Sequence, residues 1–159
     1  SLILGGPNKY YSFSNKELTQ IFGEIKSNFI SQGYKVIVIP SMRTPIRIID
    51  LAIKEFIPNG FVVNDIDKQA YLASFALANS IVVTCDSTSM ISEAAISGKP
   101  IFVAHMKPKR NNYRFQRFFQ LFRKMGIIRN LGEKVEKWTY NHFNEAERIA
   151  SLVHSKLNN

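Results

Sequence analysis

The sequence predicts an α/β domain in three layers, an open and mainly parallel sheet flanked by helices. Three observations lead there. Short runs rich in Val, Ile and Leu recur at residues 2–4, 36–39, 61–63, 81–83 and 101–103, each short enough for a strand and each closed by polar or turn-forming residues. Apolar residues between the runs repeat at helical spacing. Strand, loop and helix alternate four times, the pattern that right-handed crossovers build into a parallel sheet.

Length and composition bound the rest. A chain of 159 residues, 45% of them hydrophobic, makes one ordinary domain with a substantial core. No apolar run approaches the roughly 18 residues that cross a bilayer as a helix. The single Cys85 excludes an internal disulfide. It has no neighbouring histidine to activate it, and His105, His142 and His154 are too scattered for a compact metal site. Neither a metal nor a cofactor is expected. The chain opens almost directly in a strand, without a methionine or targeting segment, so a fragment of a longer protein is expected.

After the first strand comes Gly5-Gly6-Pro7-Asn8-Lys9. Two glycines allow a tight turn and close approach of backbone amides to an anion, with Lys9 adding a charge; a plain turn accounts for them equally well. Ser14 and Glu17 form a capping box, and Leu18, Ile21, Phe22, Ile25 and Phe29 make a core-facing stripe that Gly33 stops. The loop Pro40-Ser41-Met42-Arg43-Thr44-Pro45 ends in a proline suited to the first position of a helix over Ile46–Phe56. Arg43 is its one charge, either a surface side chain or a bidentate grip on phosphate. Pro58-Asn59-Gly60 breaks the chain before the third strand. Asn64 to Asp67 lies at that strand's carboxyl end, and Leu72, Phe75, Ala76 and Ala78 mark the next helix as mostly packing surface.

The stretch from Asn79 to Val103, NSIVVTCDSTSMISEAAISGKPIFV, organises the chain. It reads as strand, loop, helix and strand. Ser87, Thr88 and Ser89 can cap the helix, and free amides at the same helix end also suit a phosphate. Glu93, one turn in, either answers the helix dipole or accepts hydroxyl bonds from a sugar. Gly98 and Pro100 end the helix. In a parallel sheet the ligand crevice lies beyond the carboxyl ends of the strands, so Gly5, Gly6, Arg43, Asn64, Asp65 and Asp86 to Ser89 converge on one edge.

DSTSMISEAAISGKP resembles the signature of a glycosyltransferase-like family named after a plant mitochondrial fission factor. LILGGPNKYYSF, PSMRTP and GIIRNLGEKVEKWTYNHFNEAERIA agree with it in order, so the resemblance covers nearly the whole chain. The Glu93, Gly98 and Pro100 pattern is similar to that of B-type glycosyltransferases. The resemblance implies the Rossmann-like C-terminal half of a two-domain protein, with the active site between the halves and a nucleotide sugar as donor substrate. It implies that Glu93 holds the ribose, that Gly5 and Gly6 lie against the diphosphate or the incoming sugar, and that backbone groups after the third strand, at Asn64, hold the base; Lys9, Ser41, Arg43, Asp86, Ser87, Thr88 and Ser89 are the other candidate substrate contacts. The family usually carries a second arginine where Met42 stands, and an Asn-Pro-Tyr motif where Gln69-Ala70-Tyr71 stands. Tyr71 survives and is placed in the cleft. The acceptor and the catalytic base would come with the missing N-terminal domain. A non-catalytic nucleotide-binding or interaction module is the alternative. The expected setting is cytoplasmic, peripheral on a membrane if attached to one, and bacterial rather than mitochondrial.

Residues 107–124 carry seven positive charges, no acidic residue and five interleaved aromatics. Arg110, Arg114 and Arg117 share one helical face; Phe115, Phe118, Phe119 and Phe122 share another. Three readings stand: a core helix with a solvated basic side, a face for an anionic membrane or lipid-linked acceptor, and a nucleic-acid surface without a recognised motif. Ile127-Ile128 suggests a final strand. Asn144 can cap a last helix with a stripe of Ala146, Ile149, Ala150, Val153 and Leu157, which packs on this domain or crosses to the other.

Overall fold

The computed structural model describes residues 1–57, 59–141 and 145–157, with side chains described at 145–157 only from Glu147 onward. The expected break at Pro58, the cap at Asn144, the side chain of Ala146, and His142 lie outside the described residues. Six strands, β1 (Leu2–Leu4), β2 (Val36–Pro40), β3 (Gly60–Val62), β4 (Ile81–Thr84), β5 (Ile101–Ala104) and β6 (Ile128–Asn130), form one sheet in the order β3-β2-β1-β4-β5-β6. Every pairing is parallel. Helices α1 (Asn15–Asn28), α2 (Ile46–Phe56), α3 (Lys68–Leu77), α4 (Thr88–Ile96), α5 (Tyr113–Lys124) and α6 (Glu145–Leu157) follow the strands.

The central strands are buried along their whole length because a parallel sheet is covered on both faces. Leu2, Ile3, Leu4, Ile81, Val82, Val83 and residues 101–104 all lie in the core. β1 sends the chain to β2 and β3 on one side. The chain then returns to β4 beside β1 and continues outward to β5 and β6. The strand order therefore reverses between β1 and β4, and the loops leaving them diverge to open a crevice at their carboxyl ends.

Local chemistry explains most boundaries. Ser14 and Glu17 make the reciprocal capping box of α1, whose Leu18, Ile21, Phe22 and Ile25 are buried. α1 itself ends at Asn28; Gly33, at φ 86°, ends the 3-10 turn Ile30–Gln32 that follows. Pro45 stands one position earlier than expected, as the extended N-cap of α2 rather than its first helical residue. Val63 lies outside β3, yet its amide extends the ladder to the Val38 carbonyl at 2.9 Å. The last strand sits one residue later than Ile127.

Two helices depart from the expected packing. In α3, Phe75 is buried, but Leu72 is 55% exposed and Ala76 is exposed, so only one narrow side of the helix packs. Of the expected α6 stripe, Ile149, Ala150, Val153 and Leu157 are all exposed. Helical spacing shows that residues share a face; it does not supply the surface that covers them. α5 follows the core-helix reading on one side: Phe122 is buried and Phe115, Phe118 and Phe119 pack half-buried against the core. None of the described helices is long and apolar enough to cross a membrane.

Candidate functional site

The crevice is built on a buried carboxylate. Asp86 follows β4 and is 2% exposed. Its Oδ1 accepts from the Thr84 hydroxyl at 2.7 Å; its Oδ2 accepts from the Arg43 guanidinium at 2.7 Å and, at a long 3.4 Å, from the Gly6 amide. Thr84 also takes the Gly5 amide at 2.8 Å. Burial raises the Asp86 carboxyl above its ordinary value, while the Thr84 hydroxyl and the Arg43 charge pull against it.

This network accounts for both glycines. A Cβ on Gly5 would stand 2.1 Å from Asp86 Oδ1, and one on Gly6 would stand 1.8 Å from the Arg43 carbonyl oxygen. The strands of three loops approach too closely here for any side chain. Thr44 closes the second loop, donating from its hydroxyl to the Leu4 and Gly5 carbonyls at 2.7 and 3.0 Å and accepting from the Ser41 amide at 2.8 Å. Asn8 fixes the first: its amide group donates to the Asp86 carbonyl at 3.1 Å, and its side-chain oxygen accepts from the Tyr10 and Tyr11 amides.

Two hollows open above this floor. The polar one, about 330 Å³, is lined by Lys9, Tyr10, Arg43, Asp86, Ser87, Thr88, Ser89, Arg114 and Phe115. The apolar one, about 410 Å³, is lined by Pro40, Ser41, Met42, Arg43, Ile66, Asp67, Lys68, Tyr71, Ser87, Met90 and Glu93. Arg43 and Ser87 belong to both and form the ridge between them. Three cations and the amino end of α4 give the polar hollow a positive character. Ser87 caps α4, accepting from the Met90 amide at 3.4 Å, whereas the Thr88 and Ser89 hydroxyls make no hydrogen bond among the described residues. Across the apolar hollow the Tyr71 hydroxyl donates to Glu93 Oε2 at 2.8 Å.

The structure thus brings together Lys9, Arg43, Asp86, Ser87, Thr88, Ser89 and Arg114 in one hollow, and Ser41, Arg43, Ser87, Tyr71 and Glu93 in the next. Gly5 and Gly6 lie beneath, with their amides turned to Thr84 and Asp86. Asn64 is exposed and lines neither hollow. Arg117 lies over the Tyr113 ring at 5.8 Å on α5, whereas Arg110 precedes the helix and lies over the Tyr10 ring at 5.7 Å, so of the three arginines expected on one helical face only Arg114 and Arg117 are helical. Sequence reasoning missed Tyr10, Ile66, Lys68, Met90 and Phe115. Ile66 carried a signal, an isolated apolar residue in a polar loop at a strand's carboxyl end. Cys85 is fully buried, accepts from the Met106 amide, and has its thiol pushed up to about 12 by burial, so it stays protonated and inert.

Fold and site together define a Rossmann-like α/β domain with a divided crevice at the β1/β4 switch point. The family model described as mitochondrial fission ELM1 matches residues 1–157, and the chain belongs to that family. It is 30% identical over 162 residues to the uncharacterized protein RP120 of Rickettsia prowazekii, covering 96% of this chain and 45% of that one. It is 28% identical over 125 residues to the mitochondrial fission protein ELM1 of Arabidopsis thaliana, covering 74% of this chain and 28% of that one. The chain therefore spans less than half the length of these curated relatives. No solved structure matches it.

Proposed function

We propose that this domain is the donor-binding half of a nucleotide-sugar glycosyltransferase, holding the diphosphate in the polar hollow and the nucleoside in the apolar one. The observation that carries the reading is the division itself. A cationic hollow at a helix amino end adjoins an apolar hollow with a carboxylate on its wall, and one arginine stands between them. A nucleoside diphosphate has that sequence of chemistries along its length. Lys9, Arg43, Arg114 and the first turn of α4 would balance the charge that grows on the departing diphosphate as the glycosidic bond breaks. The acceptor hydroxyl and the base that deprotonates it would come from a second domain, in keeping with the greater length of the relatives.

Amide NMR of the domain titrated with UDP, GDP, ADP and CDP tests this. Shifts are expected around residues 41–43 and 86–93; shifts confined to the amino edge of the sheet, around Tyr34 and Leu77, would refute it. Arg43→Ala should weaken the diphosphates by about 1.5 to 3 kcal/mol, the worth of a charged hydrogen bond, and leave the parent nucleosides unchanged. Part of the loss would come from Asp86, whose charge Arg43 then no longer masks.

A second reading, an interaction module at a membrane surface, is favoured by the outer side of α5. There Arg114, Arg117 and Lys124 border a hollow of about 540 Å³ that also contains the exposed Tyr113 and Leu121. Basic groups beside exposed apolar ones suit an anionic lipid surface or a lipid-linked acceptor. Flotation with anionic vesicles should then exceed that with neutral ones, fall with salt, and disappear on changing Arg110, Arg114 and Arg117 to Gln. Tighter binding of single-stranded RNA or DNA, lost in the same triple variant, would assign the face to nucleic acid instead.

A further inference from the structure

We infer that Tyr71 is the positioning residue that aims the Glu93 carboxylate into the apolar hollow, and that it thereby sets selectivity for a ribose over a sugar lacking the vicinal hydroxyls. The inference rests on the nucleotide-binding reading above. Glu93 stands on the exposed side of α4, on a divide between two hollows. One is the 410 Å³ hollow shared with Arg43 and Ser87; the other, about 360 Å³, lies between α3 and α4 and is lined by Leu72, Phe75, Ala76, Ile96, Ser97 and Lys99. A glutamate with open space on both sides spreads over several rotamers, and the second hollow has the cationic Lys99 on its wall.

Of the two hollows Tyr71 lines only the first, and its hydroxyl makes the one hydrogen bond that the Glu93 carboxylate has among the described residues. The phenol is itself held. Its ring packs edge-on against the buried Phe75, with centroids 4.7 Å apart. The turn from which it projects is fixed by Asp67, whose Oδ1 accepts from the Gln69 and Ala70 amides at 2.8 and 3.0 Å. Burial, then the Glu93 carboxylate, raises the phenol well above its ordinary value, so the group remains a donor wherever the protein is folded and near neutral pH. With Oε2 taken by Tyr71, Oε1 keeps its lone pairs for hydroxyls presented from the hollow. An acceptor fixed in advance loses less freedom on binding, and the gain falls only on ligands that carry the hydroxyls.

The test is calorimetric binding of whichever of UDP, GDP, ADP and CDP binds best, set against its 2′,3′-dideoxy counterpart, to the wild type, Tyr71→Phe and Glu93→Gln. The wild type should favour the ribose form by about tenfold or more, the scale of one charged hydrogen bond. Tyr71→Phe keeps the ring against Phe75 and should reduce that preference to about threefold by weakening the ribose form alone. Glu93→Gln should do the same or more. An unchanged preference in a Tyr71→Phe protein that unfolds at the wild-type temperature overturns the inference, as does equal weakening of both ligands, which is the mark of a merely structural role. Binding of both forms with equal affinity by the wild type overturns it too while leaving diphosphate binding in place. If the wild type binds none of the four, the nucleotide reading falls and this inference with it.

Discussion

Two carboxylates tie distant segments of this chain together, and they do so in opposite surroundings. Asp86 gathers Thr84, Arg43 and Gly6 at the floor of the crevice, with its side chain fully enclosed. Glu17 gathers the Ser14 hydroxyl and amide and, 90 positions along the chain, the Lys107 amide, all at the protein surface. Each accepts from a hydroxyl and a backbone amide, yet Asp86 titrates above its ordinary value and Glu17 below. For Asp86 the loss of hydration outweighs the partners; for Glu17 burial also pushes upward, but the Ser14 and Lys107 donors together outweigh it. The comparison teaches that counting hydrogen bonds says little about what a carboxylate does for a fold until the water it gave up is counted as well.

The largest expected effect breaks the buried cluster by steric means. Gly5→Ala drives a methyl group to 2.1 Å from Asp86 Oδ1, and the carboxylate is too enclosed to retreat. We expect a loss of about 1 to 3 kcal/mol, as for an overpacked core, measured by urea unfolding. Asp86→Ala removes the obstacle but leaves Thr84 and the Gly6 amide without their acceptor, at about 1 to 3 kcal/mol for the orphaned groups. Because the two residues compete for one volume, the double variant should cost clearly less than the two losses added together. Strict additivity would mean that Asp86 does not occupy the space denied to Gly5.

That coupling also marks where sequence reasoning stopped. β-branched runs, helical stripes and the Ser14–Glu17 box are local patterns, and the strands, α1, α2 and the cap of α4 followed from them. The sheet edge on which the candidate residues meet followed from topology alone, since parallel strands place their loops at one end. Which groups are spent within the site did not follow. The Gly5 amide could be read as free for an anion until Thr84, 79 positions away, was seen to accept it. Tyr71 and Glu93 were each legible as cleft residues, but their pairing depends on how α3 lies beside α4. The exposure of Leu72 and Ile149 has the same origin: periodicity defines a face, and only tertiary packing decides whether anything meets it.

The smallest expected effect concerns Glu17 and acid. A carboxyl whose value is depressed on folding stabilises the fold above its unfolded value, and that contribution is lost as pH falls through its folded one. Glu17 is of this kind, so its contribution should be complete at neutral pH and should fade below the ordinary value of 4.5. Asp86 has the opposite slope, because a raised value means that the folded protein binds the proton more tightly; through Asp86, stability declines as pH climbs from the unfolded value to the folded one. Whole-protein acid titration mixes the two, and Glu17→Gln separates them, since the amide keeps the shape and cannot ionise. At pH 7 the wild type should exceed Glu17→Gln in stability by about 0.3 to 1.5 kcal/mol, the range of one capping interaction. In paired thermal unfolding across pH 3 to 7 that gap should close on the acid side. A gap that holds constant or widens in acid would show that the Ser14 and Lys107 donors do not favour the ionised carboxylate, and the surface half of the comparison would fail.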